Sequence, residues 1–491
     1  MDEANKNTPA ALTTTSVDAD FLDKLLNNRL SQQEALAFAS SGPELIAFTM
    51  LALQQRLASI SPQTGPHTPP SAIPPFAKPN SKSSSQSKGK KKRGGQPGHP
   101  GRTRDTLPSP DRTRNHQLDH CPECQGKLVV TGETRSRRSE DIPEDLKPVI
   151  TEDIIHRDYC PRCQKRFEPR VPDLLPSCTL GNRSLVLSAL LHFLQGLTIS
   201  QIVDTFNFHL RMKVTAGGLV QMWHRLADLL FVWYEQLHQE GLDEIKLHAD
   251  ETSWRVSGNT HWLWCFTGPN VVYYLIDRSR GSPALQKFFT RALEGTLITD
   301  FWSAYDAVEC ADQQKCWPHL LREMSKVEEH LAVELDWKSF SRRVVGVYRD
   351  AKKLHGQKGK LASNDYDMGV ARLESRLLEI SHSAWQHHDA QRLAKRIEKY
   401  GNQLLTFLWY DDVPMDNNTA ERAIRPAVMI RKNSYCNHSD RGALTQSILM
   451  TVFRTLKLRG HQPLDTILNA LAEYSRTGSI PPLPAKNAST G

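Results

Sequence analysis

The sequence lacks a long hydrophobic run. No apolar stretch reaches the roughly 18 residues that a membrane-spanning helix requires, so we expect no association with a membrane. The first residues, MDEANKNTPAALTTT, are polar and acidic, and they do not show the basic region followed by an apolar core that marks a secretory signal. Together these absences predict a cytoplasmic protein.

The sequence also lacks the pattern of a disulfide framework. Its nine cysteines are an odd number in a long chain, and four of them form two close pairs. This pattern favours reduced thiols or metal ligation. With 491 residues, of which 39% are hydrophobic and 24% charged, the chain is typical of a folded protein with several domains.

The net charge of +8 is concentrated in one segment. Residues 78–114 contain eleven Lys or Arg against two Asp, and the segment is rich in Ser, Gly and Pro. The densest run of positive charge is Lys90, Lys91, Lys92 and Arg93. Such a composition cannot bury enough apolar surface to fold alone, so we predict a disordered basic linker over residues 61–115. The linker would bind DNA phosphates without reading sequence, and the alternative is a solvated linker without a ligand.

Two regions have apolar residues at helical spacing. Residues 17–60 predict two helices divided near Gly42-Pro43, and these helices are a candidate for self-association. Residues 178–240 predict further helices joined near LTIS and KVTAGG. The second region suits either a helix-turn-helix DNA reader or a purely structural helical bundle, and the pattern does not separate the two.

Two Cys-x-x-Cys pairs lie within residues 116–175. Their members are Cys121, Cys124, Cys160 and Cys163. Four thiolates complete a tetrahedral zinc shell and leave no open position for catalysis, so we expect a structural Zn²⁺. The pairs are separated by 35 residues, more than is usual in a zinc ribbon, and KLVVTGE and PVITEDIIHRDY are expected to form strands between them. The alternative is four free thiols without a metal.

Two carboxylates belong to segments that read as strands. EIKLHADETSWRV, THWLWCFTG and VVYYLIDRS predict an antiparallel meander, followed by a helix in SPALQKFFTRAL and a short strand ending in TLIT. Asp250 lies in or at the end of the first strand and Asp300 directly follows the last, so the two side chains are expected side by side. Carboxylate oxygens select Mg²⁺ or Mn²⁺, and a pair of such ions about 3.5 to 4 Å apart promotes phosphoryl transfer.

The segment PMDNNTAERAIRP, residues 414–426, supplies a third carboxylate. Glu421 is predicted on a helix that starts near residues 417–419, whose side chains are good caps. Arg425 lies four residues later on the same helical face, where it would contact a phosphate. Pro426 is expected to kink or end this helix within two turns. The alternative is an exposed capping loop with surface ion pairs.

Four other acidic residues compete for the same role. Glu251 should point to the opposite face of a regular strand from Asp250. Asp306 is interpreted as a helix-start or surface residue, and Asp416 as the cap of the Glu421 helix. Glu323 is the best substitute for the third ligand.

Taken in order, these motifs resemble one family. They are HADETSWRV, HWLWCFTG, YYLIDRSRG, LITDFWSAYD, QKCWPHLLREM and DNNTAERAIRP followed by IRKNSY. The sequence resembles the transposases of insertion sequence 66, which belong to the group with an Asp-Asp-Glu triad on a ribonuclease-H-like fold. The likeness includes the N-terminal helices, the GGQPGHPG segment and the module with paired cysteines, so it spans most of the chain.

The resemblance implies a multidomain protein with an α/β ribonuclease-H-like catalytic domain. This domain would occupy residues 243–475, with a helical insertion at about 319–408, and a disordered tail would follow at 476–491. The helical segments, the basic linker and the zinc-ribbon-like module would precede it. The triad of the family falls on Asp250, Asp300 and Glu421.

The resemblance also implies an activity and partners. The triad would hold two Mg²⁺ or Mn²⁺ ions and direct both cleavage of the element ends and joining of the 3′ hydroxyl to target DNA. Residues expected to contact double-stranded DNA, besides the linker, are Arg322, Arg422, Arg425, Arg431 and Lys432. The zinc module and the helical regions would recognise the ends. We further expect a homo-oligomer associated with the nucleoid, with accessory proteins of the same element as further candidate partners.

Two other classes remain open. A metal-dependent nuclease would share the triad but release its products without joining them. A non-catalytic DNA-binding regulator derived from a transposase would have no use for an intact triad.

Overall fold

A computed structural model describes Ser40 and residues 109–139, 141–143, 146–330 and 334–486. The chain divides into two compact units, Met1–Asn80 and Ser81–Gly491, and every described residue except Ser40 belongs to the second. The helices predicted for residues 17–60 therefore lie outside the described residues, Ser40 aside. So does most of the predicted linker, including Lys90, Lys91, Lys92 and Arg93.

A five-stranded mixed sheet forms the centre of the second unit. Its strands are β3 (Lys246–Val256), β4 (Asn259–Thr267), β5 (Val272–Asp277), β6 (Leu293–Thr299) and β7 (Cys310–Lys315). They are ordered β5-β4-β3-β6-β7 across the sheet. β4 pairs antiparallel with both β3 and β5, whereas β6 pairs parallel with both β3 and β7. The predicted meander, helix and strand are thereby confirmed in order.

Close approach between β3 and β6 depends on a glycine. A Cβ at Gly295 would lie 2.4 Å from the carbonyl oxygens of Glu244 and Ile245, where no side chain fits. The register of β6 against β7 shifts at the same place, between Leu293 and Thr296. Gly295 therefore allows β6 to pair beside β3.

Eleven α-helices accompany the strands in the described part of the chain. They are α1 (Asn182–Ala189), α2 (Ile199–Asp204), α3 (Ala216–Leu242), α4 (Ser282–Phe288), α5 (Trp317–His330), α6 (Leu335–His355), α7 (Ser363–His382), α8 (His388–Leu405), α9 (Asn418–Ser434), α10 (Asp440–Leu458) and α11 (Pro463–Thr477). None of the helices within these ranges has the length and apolar composition needed to cross a membrane.

Helices α1 to α3 share one hydrophobic core with the sheet. Leu185 of α1, Trp223 of α3 and Phe266 of β4 belong to the same cluster of buried residues. The junctions between these helices fall where they were predicted. Thr198 forms a capping box with Gln201 at the start of α2, and Thr215 caps α3. The region thus shares its core with the sheet, which favours a structural role for much of its surface.

The predicted insertion is a helical layer with its own core. Helices α5 to α8 bury Trp337, Phe340, Leu373 and Leu393 in a second cluster, separate from the core of the sheet. The prediction of helix over residues 319–408 is confirmed within the described residues.

The cysteine module contains less strand than predicted. The described strands are β1 (Asp158–Cys160) and β2 (Lys165–Phe167), which form a hairpin around the second cysteine pair. KLVVTGE and most of PVITEDIIHRDY are not strands, so this prediction is wrong. Their apolar side chains, such as Val130 and Ile150, are exposed and have no facing sheet to pack on.

The predicted disordered tail is also wrong for its described part. Residues up to Thr477 complete α11, and residues 478–486 are anchored on the helices. Trp233 donates to the carbonyl of Pro481 at 2.7 Å, Arg459 donates to Pro484 at 2.9 Å, and Leu483 is buried. The backbone of residues 478–486 is held in place because its carbonyls accept hydrogen bonds from Trp233 of α3 and from Arg459, which follows α10.

Candidate active site

Asp250 lies in β3, and Asp300 directly follows β6, the parallel strand beside it. His248 of β3 is opposite Ile298 of β6, and two residues further along each chain are Asp250 and Asp300. Each carboxylate accepts a backbone hydrogen bond from the residues that follow it. The N–H of Glu251 donates to Asp250 at 2.9 Å and the N–H of Trp302 donates to Asp300 at 2.8 Å. The predicted juxtaposition of the two acids therefore follows from the strand register.

Asn417 fixes the start of α9 beside Asp250. Its side-chain amide donates to the carbonyl of Ala249 at 2.8 Å, and its Oδ1 lies 3.0 Å from Nδ1 of His248. Asn417 is the N-cap residue of α9, so the predicted helix start is confirmed, but its buried side chain is bonded to β3 and makes no cap bond. Asp416, which was predicted to cap α9, lies one residue before the N-cap and accepts a hydrogen bond from the N–H of Asn418 at 3.0 Å.

Helix α9 places Glu421 in its first turn, next to α5. Oε1 of Glu421 lies 2.6 Å from Nη2 of Arg322 and 3.6 Å from Nε2 of His319. Burial lowers the pKa of His319. The third predicted carboxylate thus faces His319 and Arg322, which lie at the start of the helical insertion.

Pro426 was predicted to kink or end α9, and it does not end the helix. The helix continues to Ser434 with Pro426 inside it. A proline in a helix interior costs about 3 kcal/mol. Burial of Ile424, Val428 and Ile430 on either side offsets that cost and holds the helix on β3 and β4.

The three predicted acids share one electrostatic environment. Burial, together with the charges of Glu251, Asp300 and Glu421, raises the pKa of Asp250 well above its usual value. Within the described ranges, neither Asp250 nor Asp300 forms an ion pair. Several carboxylates whose charges raise the pKa of Asp250 form an environment that a bound divalent cation would stabilise.

Glu251, the neighbour of Asp250, is fully provided with partners. Arg280 donates to its Oε1 at 3.0 Å and Tyr305 donates to its Oε2 at 2.7 Å. Arg280 is itself stacked between the rings of Trp262 and Trp302, at 4.4 and 4.2 Å from their centroids. Burial raises the pKa of Glu251 to about 7. These bonds support the prediction that Glu251 does not share a ligand role with Asp250.

Lys315 is a buried cation that the sequence did not reveal. It is the last residue of β7, and its Nζ donates to Thr299 at 3.0 Å and lies 3.8 Å from Asp306. Burial lowers its pKa to about 8. Asp306 also accepts from Lys399 and Tyr400 of α8 at 2.7 and 2.8 Å. It therefore links β7 to the insertion.

Glu323 is engaged elsewhere. Its two carboxylate oxygens pair with Arg392 and Arg396 of α8. This leaves Glu421, which faces the cluster of acids, as the better placed third carboxylate.

Four of the residues predicted to contact DNA lie on α9, and they differ in exposure. Arg422, Arg425 and Lys432 are exposed on α9. Arg431 is half-buried, and it donates to the hydroxyls of Thr252 and Ser253 at 2.9 Å. Part of its guanidinium thus serves to hold α9 on β3, and contact with DNA stays a prediction for all four.

The cysteine pairs form two separate knuckles. Hydrogen bonds from the backbone of Cys124 and of Cys163 lower the pKa values of Cys121 and Cys160, which favours thiolates. Across the described ranges, however, no three His, Cys, Asp or Glu side chains are arranged to hold a metal ion. The zinc site and the magnesium site therefore both stay predictions.

Comparison with known families assigns the chain. The model described as "Transposase IS66 family" matches residues 178–445, more than half of the sequence. The chain belongs to the IS66 transposase family. The match includes β3, β6 and the start of α9, and so it contains Asp250, Asp300 and Glu421.

Two relatives of this IS66-family chain occur in Sinorhizobium fredii. The uncharacterized protein y4qI is 23% identical over 396 residues, which cover 72% of this chain and 70% of that protein. The uncharacterized protein y4jD is 22% identical over 384 residues, which cover 72% of this chain and 74% of that protein. Family membership makes DNA the expected substrate.

Proposed function

We propose that the chain is a DNA transposase that cleaves and joins the ends of its insertion sequence by metal-dependent phosphoryl transfer at Asp250, Asp300 and Glu421. The observation that carries the proposal is the parallel pairing of β3 with β6, which brings Asp250 of β3 beside the end of β6, where Asp300 follows. The charge of Glu421 acts on Asp250 from α9. The mixed sheet and its strand order support the ribonuclease-H-like fold that the resemblance implies.

The donor chemistry of the three carboxylates fits Mg²⁺ or Mn²⁺. Both ions prefer oxygen ligands, and neither Asp250 nor Asp300 forms an ion pair within the described residues. When bound, such ions stabilise the negative charge that develops on the oxygens around phosphorus. Asp250, Asp300 and Glu421 would hold two of them.

The other residues of the site hold the elements that bear the carboxylates, or would neutralise the charge of DNA phosphates. Arg280 and Tyr305 hold Glu251, and through it the middle of β3. Asn417 holds the first turn of α9 against Ala249. Arg422 and Arg425 are exposed on the helix that bears Glu421, where guanidinium groups would bind the phosphates that flank the scissile bond.

The proposal also includes recognition of DNA and assembly of the protein into an oligomer. The basic segment with Lys90, Lys91, Lys92 and Arg93 would supply sequence-independent affinity for DNA. Structural Zn²⁺ would be held by Cys121, Cys124, Cys160 and Cys163, whose two knuckles each favour a thiolate. Coordinated cutting of two ends would require at least a dimer.

The test is joining of a labelled duplex, carrying the element's own end, to a supercoiled plasmid in Mg²⁺ or Mn²⁺. Wild type should form joined product, and Glu421→Gln should not. The matched control is Asp416→Asn, which removes one negative charge from the same helix start but keeps a good capping residue.

The outcomes separate the candidate functions. Joining by wild type and Asp416→Asn but not by Glu421→Gln supports the proposal. Nicking without joining would show a nuclease, and specific binding of the end without either reaction would show a regulator. Full joining by Glu421→Gln would remove Glu421 from the site.

A further inference from the structure

Glu421 is held by a cation of the protein itself. Its Oε1 accepts a charge-assisted hydrogen bond from Arg322 at 2.6 Å, and His319 lies 3.6 Å from the same oxygen. Arg322 and His319 are three residues apart at the start of α5, so they reach Glu421 from one face of that helix. Asp250 and Asp300, by contrast, pair with no cation in the described part of the chain.

This ion pair and a bound divalent cation compete for the same carboxylate. A metal ligated by Glu421 would lie about 2 Å from its oxygen, and a guanidinium within hydrogen-bonding distance of that oxygen would then repel the metal. The pair is partly open to solvent, with 43% of the Arg322 side chain and 34% of the Glu421 side chain exposed. Pairs of this exposure are weak, so a metal can displace the arginine.

We infer that Arg322 is an internal counter-ion, which occupies Glu421 while no divalent cation is bound and is released to a DNA phosphate when the cation takes its place. The inference rests on the proposed function, because it takes Glu421 as a ligand of the cation. It assigns to Arg322 a second role besides the predicted DNA contact. Loading of the site with metal and capture of DNA would thereby be coupled in one side chain.

The test is calorimetric titration of Mn²⁺ into the full-length protein without DNA. Arg322→Gln should bind Mn²⁺ with a Kd about two- to fivefold lower than wild type, which corresponds to roughly 0.4 to 1 kcal/mol at about 1.4 kcal/mol per tenfold change. Arg322→Lys keeps the charge and should stay close to wild type.

A matched control separates this contact from a change in net charge. Lys326 is exposed one turn further along α5, so Lys326→Gln removes the same charge from the same helix without touching Glu421. Its Kd should equal that of wild type. Thermal unfolding of each variant confirms that it is folded.

Two results would overturn the inference. If wild type binds Mn²⁺ and Arg322→Gln binds it equally or more weakly, Arg322 does not compete with the cation, and the proposed function is untouched. If neither protein binds Mn²⁺, or if Glu421→Gln binds it as well as wild type, then Glu421 is not a ligand and the proposed site fails as well.

Discussion

Asp250 and Glu251 are neighbours on β3 with opposite surroundings. Glu251 is buried and has a partner for each oxygen, Arg280 for one and Tyr305 for the other. Asp250 has only the backbone N–H of Glu251 and the charges of three other carboxylates around it. Successive side chains of a strand point to opposite faces. Glu251 is therefore the structural carboxylate of the two, and Asp250 is the one without an ion-pair partner in the part of the chain that the structure describes.

The difference indicates which carboxylates of this fold serve the structure and which are candidates for catalysis. A carboxylate whose bonds are complete stabilises the structure. A carboxylate held among like charges costs stability, and such a cost is typical of a site that an external cation completes. The variants below test the two faces of β3 separately.

The largest effect is expected at Asp250. Asp250→Asn should reduce strand joining by about a thousandfold or more, because several kcal/mol of transition-state stabilisation depend on the bound cation. Its thermal stability should be equal to or above that of wild type, since repulsion among the carboxylates is relieved. A variant that joins DNA at more than a tenth of the wild-type rate would contradict the role of Asp250.

Arg280→Met should produce the largest loss of stability. Glu251 would then be a buried carboxylate without its cation, and breaking a buried pair costs about 3 to 5 kcal/mol. The free energy of unfolding, measured in denaturant, reports the change. Arg278→Met is the control, because Arg278 is exposed two residues away. Equal stability of the two variants would show that Glu251 does not depend on Arg280.

A smaller loss is expected for Tyr305→Phe. The substitution removes one hydroxyl, which donates to Glu251 at 2.7 Å. Hydrogen bonds to charged groups contribute about 1.5 to 3 kcal/mol, and the free energy of unfolding should fall by that amount. Tyr435→Phe, at an exposed tyrosine, should change it by less than about 0.5 kcal/mol.

The smallest effect concerns a buried base far from the two acids. His192 stacks on Trp223, its Nδ1 bonds to the carbonyl of Leu197 at 2.7 Å, and burial lowers its pKa. The folded protein therefore keeps the neutral ring at a pH where the unfolded chain is already protonated. Stability is complete above the ordinary pKa of histidine and falls as the pH drops below it.

His192→Gln tests this dependence. The free energy of unfolding of the variant should change less between pH 7.5 and pH 5.5 than that of wild type. An identical pH dependence in the two proteins would mean that His192 is protonated in the folded state.

The sequence predicted most of the sheet because β3 to β6 are largely apolar runs separated by Gly, Asn and Pro. β3 to β6 are buried on at least one face, and this leaves a pattern that can be read. β7, CADQQK, is polar and was missed. Its buried Gln314 is hydrogen-bonded to the backbone of Leu404 and Phe407, and its buried Lys315 to Thr299. No local sequence pattern indicates these bonds.

The same reason limits prediction of the site. The acids could be found because Asp250 lies within a recognisable strand, Asp300 directly follows another and Glu421 lies in the first turn of a helix. Arg280, Tyr305 and Lys315 could not, because they reach the site from turns and from an edge strand through contacts that are distant in sequence. Asn417 was read as a cap, since its bond to Ala249 exists only once β3 and α9 are packed together.

The central claim is that Asp250, Asp300 and Glu421 form a divalent-cation site, and stabilisation by Mn²⁺ tests it most directly. At a hundred times its Kd, a ligand that binds only the folded state adds about 2.7 kcal/mol to the free energy of unfolding. Wild type should gain this stability in Mn²⁺, and Asp300→Asn should gain little or none. An equal gain in both proteins would place the cation elsewhere and contradict the claim.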